Sequence, residues 1–78
     1  MKPLSEAHLA FGREIRRCRL AREWTQEDLS RTSGLHPSYV GQTERGLRNI
    51  SLTNILQLAE ALDTPAEQLV AAASAANR

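Results

Sequence analysis

The 78-residue sequence predicts an all-α protein, a compact arrangement of five helices in a single domain spanning residues 1–78. Helix signals are densest between Thr25 and Gly46, where a capping residue, a glycine and a proline mark the ends of two short helices. On both sides of this segment, apolar residues recur at three- and four-residue spacings, as they do along one face of a helix. A chain of this length buries only about 60 per cent of the surface that it exposes when unfolded, which leaves little room for a catalytic cleft.

The first helix is predicted over residues 5–23. Phe11, Ile15 and Cys18 lie on one face at i, i+4 and i+7, which is the spacing of a buried stripe. Because Cys18 belongs to this stripe, we expect it to be a small buried hydrophobic residue and not a nucleophile. It is the only cysteine, so no disulfide can form within the chain.

The second helix is predicted to begin after Thr25 and to end near Gly34. Thr25 can cap the first turn, and Asp28 can reach back to the amide of the capping residue. Trp24 is spaced to pack on Leu29 as a hydrophobic staple, which would fix the angle at which the chain enters the helix. Gly34 can adopt the left-handed conformation that ends a helix. A turn this short makes the second and third helices cross steeply.

The third helix is predicted over residues 37–45, with a proline in its first turn. One side of this helix carries Val40, Thr43 and Glu44, and the opposite side, which has no apolar member, carries Ser38, Gln42 and Arg45. A helix that merely faces solvent would have a similar surface. These side chains are also ones that read DNA, because Gln pairs with adenine, Ser bonds to either base edge and Arg binds guanine or phosphate. The pattern favours a helix presented to the major groove.

Two residues of the third helix leave alternatives open. Gly41 lies in the helix interior, where glycine costs roughly 0.5 to 1 kcal/mol relative to alanine. We expect it to lie on the groove-facing edge of the helix, from which it removes a side chain. Either the backbone approaches DNA closely there, or the position is not used for readout. Tyr39 lies between the buried and the groove-facing sides of the helix. We expect it to pack against the first turn of helix two, and the alternative is that it stacks near a flexible base step.

The fourth helix is predicted over residues 51–62, with Ser51 as its capping residue. Its apolar residues recur at helical spacing and are expected to face the core. This inward stripe consists of Leu52, Ile55, Leu56, Ala59 and Leu62. Packing in the protein core is enough to explain such a stripe, and no ligand-binding role is inferred for it.

The fifth helix is predicted over residues 65–76. Thr64 before Pro65, with Glu67 at the third position, resembles a second capping box. Leu69 and Val70 are candidates for a subunit interface, because the helix continues into an alanine-rich tail whose small side chains let helices approach closely. The alternative is that this tail frays as an unanchored extension.

The central segment contains a set of residues at a specific spacing: Thr25-Gln26, Leu29, Gly34-Leu35, Tyr39-Val40 and Glu44-Arg45-Gly46. Matching residues lie upstream at Phe11-Gly12, Ile15-Arg16 and Arg19, and downstream at Leu56, Leu58-Ala59 and Ala61-Leu62. Together they resemble the Cro and phage-repressor type helix-turn-helix family over roughly residues 10–70. The resemblance implies a five-helix, lambda-repressor-like DNA-binding domain, with the helix-turn-helix at residues 25–46 and the third helix in the major groove.

The resemblance also implies roles for individual residues. Base edges would be faced by Pro37, Ser38 and Gln42. The sugar-phosphate backbone or the rim of the groove would be met by Gln26, Tyr39, Arg45, Arg48 and Asn49. Arg19 and Glu44 fall at positions where the family has a buried ion pair that links helix one to the recognition helix.

Within this family, a longer pattern is similar to the controller proteins of restriction-modification systems, which are stand-alone dimeric regulators of about this length that bind their own promoters. The pattern comprises Gly34-Leu35-His36, Tyr39-Val40, Glu44-Arg45-Gly46, Arg48-Asn49, Ser51-Leu52 and Asn54-Ile55. Three positions depart from it, because Ser30 replaces a common alanine, Thr43 a branched apolar residue and Ile50 a proline. The implied function is transcriptional regulation by a homodimer bound to an inverted-repeat operator, with no enzymatic activity.

Charge is distributed unevenly along the chain. The net charge is only +1, but residues 1–50 carry +3 and residues 51–78 carry −2. The basic half contains the helix-turn-helix, as nucleic-acid binding requires. The expected partners are double-stranded DNA and a second copy of the chain, with RNA polymerase left open. No cofactor or metal is expected, because no Cys/His pair has metal-ligand spacing and no glycine-rich phosphate loop is present.

The remaining expectations concern location and an alternative function. No apolar run approaches the roughly 18 residues of a membrane span, and the first six residues lack the apolar core of a signal peptide, so the cytoplasm is the expected compartment. The alternative function is a protein-binding module, such as an antitoxin or a factor that contacts polymerase. Such a module would expose an apolar patch away from helix three. A DNA-binding protein would instead lose affinity steeply with salt.

Overall fold

The computed structural model describes residues 1–77, and these residues form five α-helices joined by short turns. The helices are α1 (Glu6–Ala21), α2 (Gln26–Ser33), α3 (Pro37–Glu44), α4 (Leu52–Ala61) and α5 (Ala66–Ala76). No strand is present within residues 1–77. The predicted all-α class of five helices is therefore confirmed. Each helix lies within two residues of the range expected from the sequence.

Side chains cap the start of four helices. Ser5, Thr25 and Ser51 each accept a hydrogen bond from the backbone amide three residues further on. His36 caps α3 by accepting from the amide of Ser38. At Thr25 the cap is reciprocal, because the Asp28 carboxylate accepts a hydrogen bond of 2.8 Å from the Thr25 amide. These bonds satisfy amides that have no partner within the helix, which is why the helices begin at these residues.

The capping box predicted for the fifth helix is wrong. The residue that flanks α5 is Pro65, and no side chain caps this helix. The Thr64 hydroxyl instead donates a hydrogen bond of 3.1 Å to the carbonyl of Leu62. Because the helix begins at Ala66 and not at Pro65, Thr64 lies one residue too far upstream to reach the free amides of the first turn.

The core is built from apolar side chains of all five helices and of the turn that follows α4. Phe11 and Cys18 are buried on α1, so the stripe predicted for this helix is core. Side chains with almost no exposed surface are Ile15, Leu29, Val40, Leu58, Leu62 and Leu69. Each large aliphatic side chain buried in this way contributes roughly 1.5 to 3 kcal/mol to the free energy of unfolding. Trp24 packs against the same cluster as Leu29, as the hydrophobic staple requires.

The predicted inward stripe of α4 is wrong for two of its members. Leu52 is 71% exposed and Leu56 is 51% exposed, although both were expected to face the core. Leu58 and Ala61 are buried in their place. The helix packs on α2 and α5, and this contact rotates its buried face away from Leu52 and Leu56 towards Leu58. Two of the five residues of the predicted stripe therefore lie on the surface of the protomer.

A close backbone approach joins α1 to α3 at Gly12. A Cβ atom at this position would lie 2.3 Å from the carbonyl oxygen of Thr43 and 2.6 Å from that of Glu44. Both distances are far inside van der Waals contact, and a backbone carbonyl cannot move aside as a flexible side chain can. Gly12 therefore fixes how closely α3 lies on α1.

Candidate nucleic-acid interface

The second helix-turn-helix element, α3, starts from an exposed cap. His36 Nδ1 accepts a hydrogen bond of 3.1 Å from the amide of Ser38, and the Ser38 hydroxyl lies 2.9 Å from the same nitrogen. Pro37 occupies the first turn, where the absence of an amide proton has no cost. The turn before α3 contains Gly34 with φ +81°, in the left-handed conformation that ends α2. This local geometry leaves the first turn of α3 exposed.

The two sides of α3 differ sharply in burial. Val40, Thr43 and Glu44 are buried, as the helical wheel predicts. The opposite side carries Ser38 and Arg45, which are exposed, and Gln42, which is half-buried. Pro37 is exposed in the first turn of the helix. Ser38, Gln42 and Arg45 therefore share one solvent-facing surface, with Pro37 at the N-terminal end of α3.

A buried ion pair holds α3 against α1. Arg19 Nε donates to Glu44 Oε2 at 2.7 Å, and Arg19 Nη2 donates to Glu44 Oε1 at 3.0 Å. The remaining terminal nitrogen, Nη1, donates to the carbonyl of Trp24 at 2.7 Å. The hydrogen bonds to Glu44 raise the pKa of the Arg19 guanidinium, which therefore stays protonated. Its two-point geometry fixes the rotation of α3 as well as its distance from α1.

Gln26, at the start of α2, joins the same network. Its Nε2 donates a hydrogen bond of 3.2 Å to Glu44 Oε1, while the residue as a whole stays exposed. A Cβ atom at Gly41 would lie 3.3 Å from Gln26 Oε1. Gly41 is buried beneath this side chain, so the expectation that it lies on the groove-facing edge is wrong. The glycine makes room for Gln26 at the crossing of α2 and α3.

Tyr39 interacts with the loop after α3 and with α4, and its expected packing against the first turn of helix two stays a prediction. Its hydroxyl accepts a hydrogen bond of 2.8 Å from Asn54 Nδ2. The guanidinium of Arg48 lies over its ring, with Cζ 4.7 Å from the ring centroid. A cation held over an aromatic face gains roughly 0.5 to 1 kcal/mol at an exposed site. Tyr39 therefore positions Arg48 beside the exposed face of α3.

The loop between α3 and α4 adds further polar groups. Arg48 and Asn49 are both exposed, and Asn49 Oδ1 lies 3.4 Å from His8 Nε2. Within residues 1–77, neither Arg45 nor Arg48 belongs to an ion pair. The ion pairs of these residues are Arg17–Glu14, Arg19–Glu44 and Arg31–Asp28. Their charges are therefore available to an anionic ligand.

The two residues predicted as dimer-interface candidates on α5 differ in their exposure to solvent. Leu69 is completely buried in the protomer, so its assignment to a subunit interface is wrong. It belongs to the core cluster that also contains Phe11 and Ile15 of α1. Val70 is 45% exposed and stays available for a contact.

Sequence reasoning missed two positioning residues, Asn54 and His8. Both make side-chain contacts with residues at least fifteen positions away, and their spacing carries no signal of those contacts. Within the described residues 1–77, no group of three His, Cys, Asp or Glu side chains could hold a metal ion. Over the same residues, every helix is too short or too polar to cross a membrane.

Comparisons with known proteins agree with this geometry. A family model described as "Helix-turn-helix" matches residues 15–69. The chain is 38% identical over 63 residues to the control protein C.BamHI of Bacillus amyloliquefaciens, covering 80% of this chain and 78% of that protein. It is 37% identical over 60 residues to the control protein C.SmaI of Serratia marcescens, covering 77% and 71%.

A solved structure is similar over the same region. The crystal structure of the restriction-modification controller protein C.AhdI from Aeromonas hydrophila superposes with a TM-score of 0.76 and 51% sequence identity. The match covers 78% of this chain and 92% of C.AhdI. The chain belongs to the helix-turn-helix family of the Cro and phage-repressor type, and it is a DNA-binding regulator of that family.

Proposed function

We propose that this protein is a sequence-specific transcriptional regulator that binds an inverted-repeat operator as a homodimer, with α3 in the major groove of each half-site. The observation that carries the proposal is the exposed polar face of α3, held from behind by the buried Arg19–Glu44 pair. A recognition helix must be rigid, because base hydrogen bonds tolerate little displacement. The bidentate pair supplies that rigidity.

Base readout is assigned to the exposed N-terminal and central part of α3. Ser38 can bond to either donor or acceptor edges, and Gln42 can form a bidentate pair with adenine. Pro37 offers an apolar surface beside them that suits a thymine methyl group. Each good bidentate pair discriminates against a wrong base by about 1 to 3 kcal/mol.

Backbone contacts are assigned to the groups around this face. Arg45 and Arg48 belong to no ion pair among the described residues and would neutralise phosphates, and Asn49 would bond to the rim of the groove. Gln26 is exposed at the start of α2 and can bond a phosphate there. The hydrogen bond from its side-chain amide to Glu44 holds the side chain in place. Tyr39 would act at the rim by holding Arg48. Such contacts fix the orientation of α3 and carry no sequence information directly.

A second copy of the chain is proposed to cover the apolar face of α4 and α5. Leu52 and Leu56 are exposed on α4, and Val70 is exposed on α5. The two helices share shallow depressions: one is lined by Leu56, Ala59 and Ala66, and the other by Ile55, Val70 and Ala73. A two-fold axis through this face would present two copies of α3 to successive major grooves about 34 Å apart.

The regulated genes are proposed to be those of a restriction-modification system. The relatives C.BamHI and C.SmaI are named as control proteins, and C.AhdI is named as a restriction-modification controller protein. The high identity to C.AhdI over nearly all of that protein supports carrying this role to the present chain.

In vitro selection of bound duplexes from a random pool tests the proposal. We expect an enriched inverted repeat with half-sites about one helical turn apart. Four arginines per dimer, two from each protomer, predict a slope of about −3.6 in a plot of log affinity against log salt. An unenriched pool at low salt would contradict the proposal.

The apolar face of α4 and α5 also bears on the alternative of a protein-binding module. Its exposed residues belong to α4 and α5 and not to α3, as that alternative requires. Sedimentation equilibrium separates the two functions. A stable dimer supports self-association, whereas a monomer that leaves this face open, together with a flat salt response towards DNA, supports a different protein partner.

A further inference from the structure

The N-terminal segment Met1–Leu4, here called the N-terminal arm, lies against the end of α3. The amide of Leu4 donates a hydrogen bond of 2.8 Å to the carbonyl of Gly46. At the far end of the arm, Met1 lines a shallow cleft together with Gln42, Arg45, Leu47 and Arg48. The arm therefore reaches from α1 to the surface on which the proposed base and phosphate contacts lie.

Gly46 is what allows the arm to lie there. Its φ is +75°, and a Cβ atom would lie 2.8 Å from Leu9 Cα and 3.1 Å from Pro3 Cβ. Without a side chain at this position, the backbone of residues 3–9 passes directly over the turn that follows α3. The position of the arm is thus built into the junction of α1 and α3.

The only charged side chain of the arm is that of Lys2. Lys2 is the only lysine of the chain, it is exposed, and it belongs to none of the ion pairs within residues 1–77. It lies two residues from the anchored Leu4, a distance of no more than about 7 Å along the backbone. The cleft beside it is lined by two arginines and by no carboxylate. Lys2 adds a positive charge near these arginines that no ion pair of the described residues neutralises, and a phosphate would do so.

We propose that the N-terminal arm is a second DNA-contacting element, in which Lys2 neutralises a phosphate beside the base pairs faced by Gln42. The proposal rests on the proposed function and extends it from the helix-turn-helix to residues outside that motif. Lysine offers a mobile point charge and no planar fork, so the contact strengthens binding without selecting bases.

Fluorescence anisotropy over a range of salt concentrations tests this assignment with a duplex selected by the wild-type protein. Each phosphate neutralised contributes about 0.9 to the salt slope, so two Lys2 contacts per dimer would steepen the slope from the value of about −3.6 given by the arginines to about −5.4, and Lys2→Ala should return it to about −3.6. The affinity lost between roughly 50 and 200 mM salt should then be about tenfold smaller for the variant. Lys2→Arg should restore the wild-type slope, and base preference should be the same in all three proteins.

Arg17→Ala is the matched control. It removes the same formal charge from the opposite part of α1, where Arg17 pairs with Glu14 and Glu14 in turn contacts Gln68 of α5. Replacing single phosphates of the duplex by neutral methylphosphonates locates the contact, because one substitution should abolish the difference between wild type and Lys2→Ala.

Equal slopes for Lys2→Ala and Arg17→Ala would overturn the arm contact while leaving the proposed function intact. A wild-type protein that binds duplexes with no salt dependence and no base preference would instead overturn the proposed function itself.

Discussion

Arg19 of α1 and Glu44 of α3 form a buried, bidentate ion pair across twenty-five positions of sequence. Both side chains are almost completely shielded from solvent, at 9% and 3% exposed. Gln26 and the carbonyl of Trp24 complete the network, so every charged oxygen and nitrogen that faces the core is bonded. The pair therefore connects the core of the protein to the helix that we assign to DNA recognition.

Removing one partner of this pair should be strongly destabilising. Arg19→Met or Glu44→Leu leaves an uncompensated buried charge, for which the expected loss is about 3 to 5 kcal/mol in the free energy of unfolding. The double variant should recover much of that loss, because two apolar side chains replace two charges. Urea denaturation of the four proteins measures this cycle. A single substitution that lowers stability by less than about 1 kcal/mol would contradict a buried pair.

Two helical glycines should respond oppositely to substitution by alanine. Gly12→Ala pushes a methyl group into the backbone carbonyls of Thr43 and Glu44, and we expect a loss of at least about 2 kcal/mol. Gly41→Ala meets only the flexible side chain of Gln26 and gains helix propensity, so stability should stay equal or rise by up to about 1 kcal/mol. Chemical denaturation of both variants provides the comparison. Equal losses would mean that Gly41 is as tightly enclosed as Gly12.

Acid should weaken the contact between α1 and α5 through Glu14. Hydrogen bonds from Arg17 lower the pKa of Glu14 from 4.5 to about 2, and Gln68 of α5 adds another bond. A carboxyl group with a lowered pKa stabilises the folded state above its unfolded pKa, and this contribution is lost as the pH falls from about 5 towards 2.

Glu14→Gln should therefore lower the melting temperature at pH 7, and the difference from wild type should shrink near pH 2. Thermal unfolding followed by circular dichroism gives both values. Glu60→Gln, an exposed change on α4, serves as the control and should show no such convergence. A difference that is the same at both pH values would exclude Glu14 as the source.

Self-association should depend on the exposed leucines of α4. The double substitution Leu52→Glu and Leu56→Glu places charges on the proposed interface without touching the protomer core, so the folded monomer should persist. Leu20→Glu is a matched control, because Leu20 is 50% exposed on α1. Sedimentation equilibrium should give monomers for the double variant and dimers for the control. Dimers in both proteins would place the interface elsewhere.

Much of the fold can be predicted because its signals are local. Thr25 with Asp28, Gly34 with φ +81°, and Ser51 each act within one helical turn, and the helices begin and end there. The stripe of Phe11, Ile15 and Cys18 could also be predicted, since its burial follows from its period alone.

The errors in the sequence-based predictions arise at residues whose burial or position is determined by tertiary packing. Periodicity shows that α4 is amphipathic, but only its contact with α2 and α5 determines that Leu58 is buried and Leu52 is exposed. Gly41 appeared to be a groove residue because the side chain of Gln26, fifteen positions away, is not visible from the helix itself. The position of the N-terminal arm likewise depends on a backbone bond between Leu4 and Gly46, for which no local pattern exists.

The central claim is that the exposed face of α3 reads bases, and binding of Gln42→Ala to systematically altered operators tests it most directly. The measurement compares the selected duplex with duplexes that carry single base-pair changes, for wild type and variant at one salt concentration. We expect Gln42→Ala to lose about 1 to 3 kcal/mol of discrimination at one position in each half-site, with the other positions unchanged. Arg48→Ala, a backbone contact, should weaken binding to all duplexes alike. An equal loss on every duplex for Gln42→Ala would contradict base reading by α3.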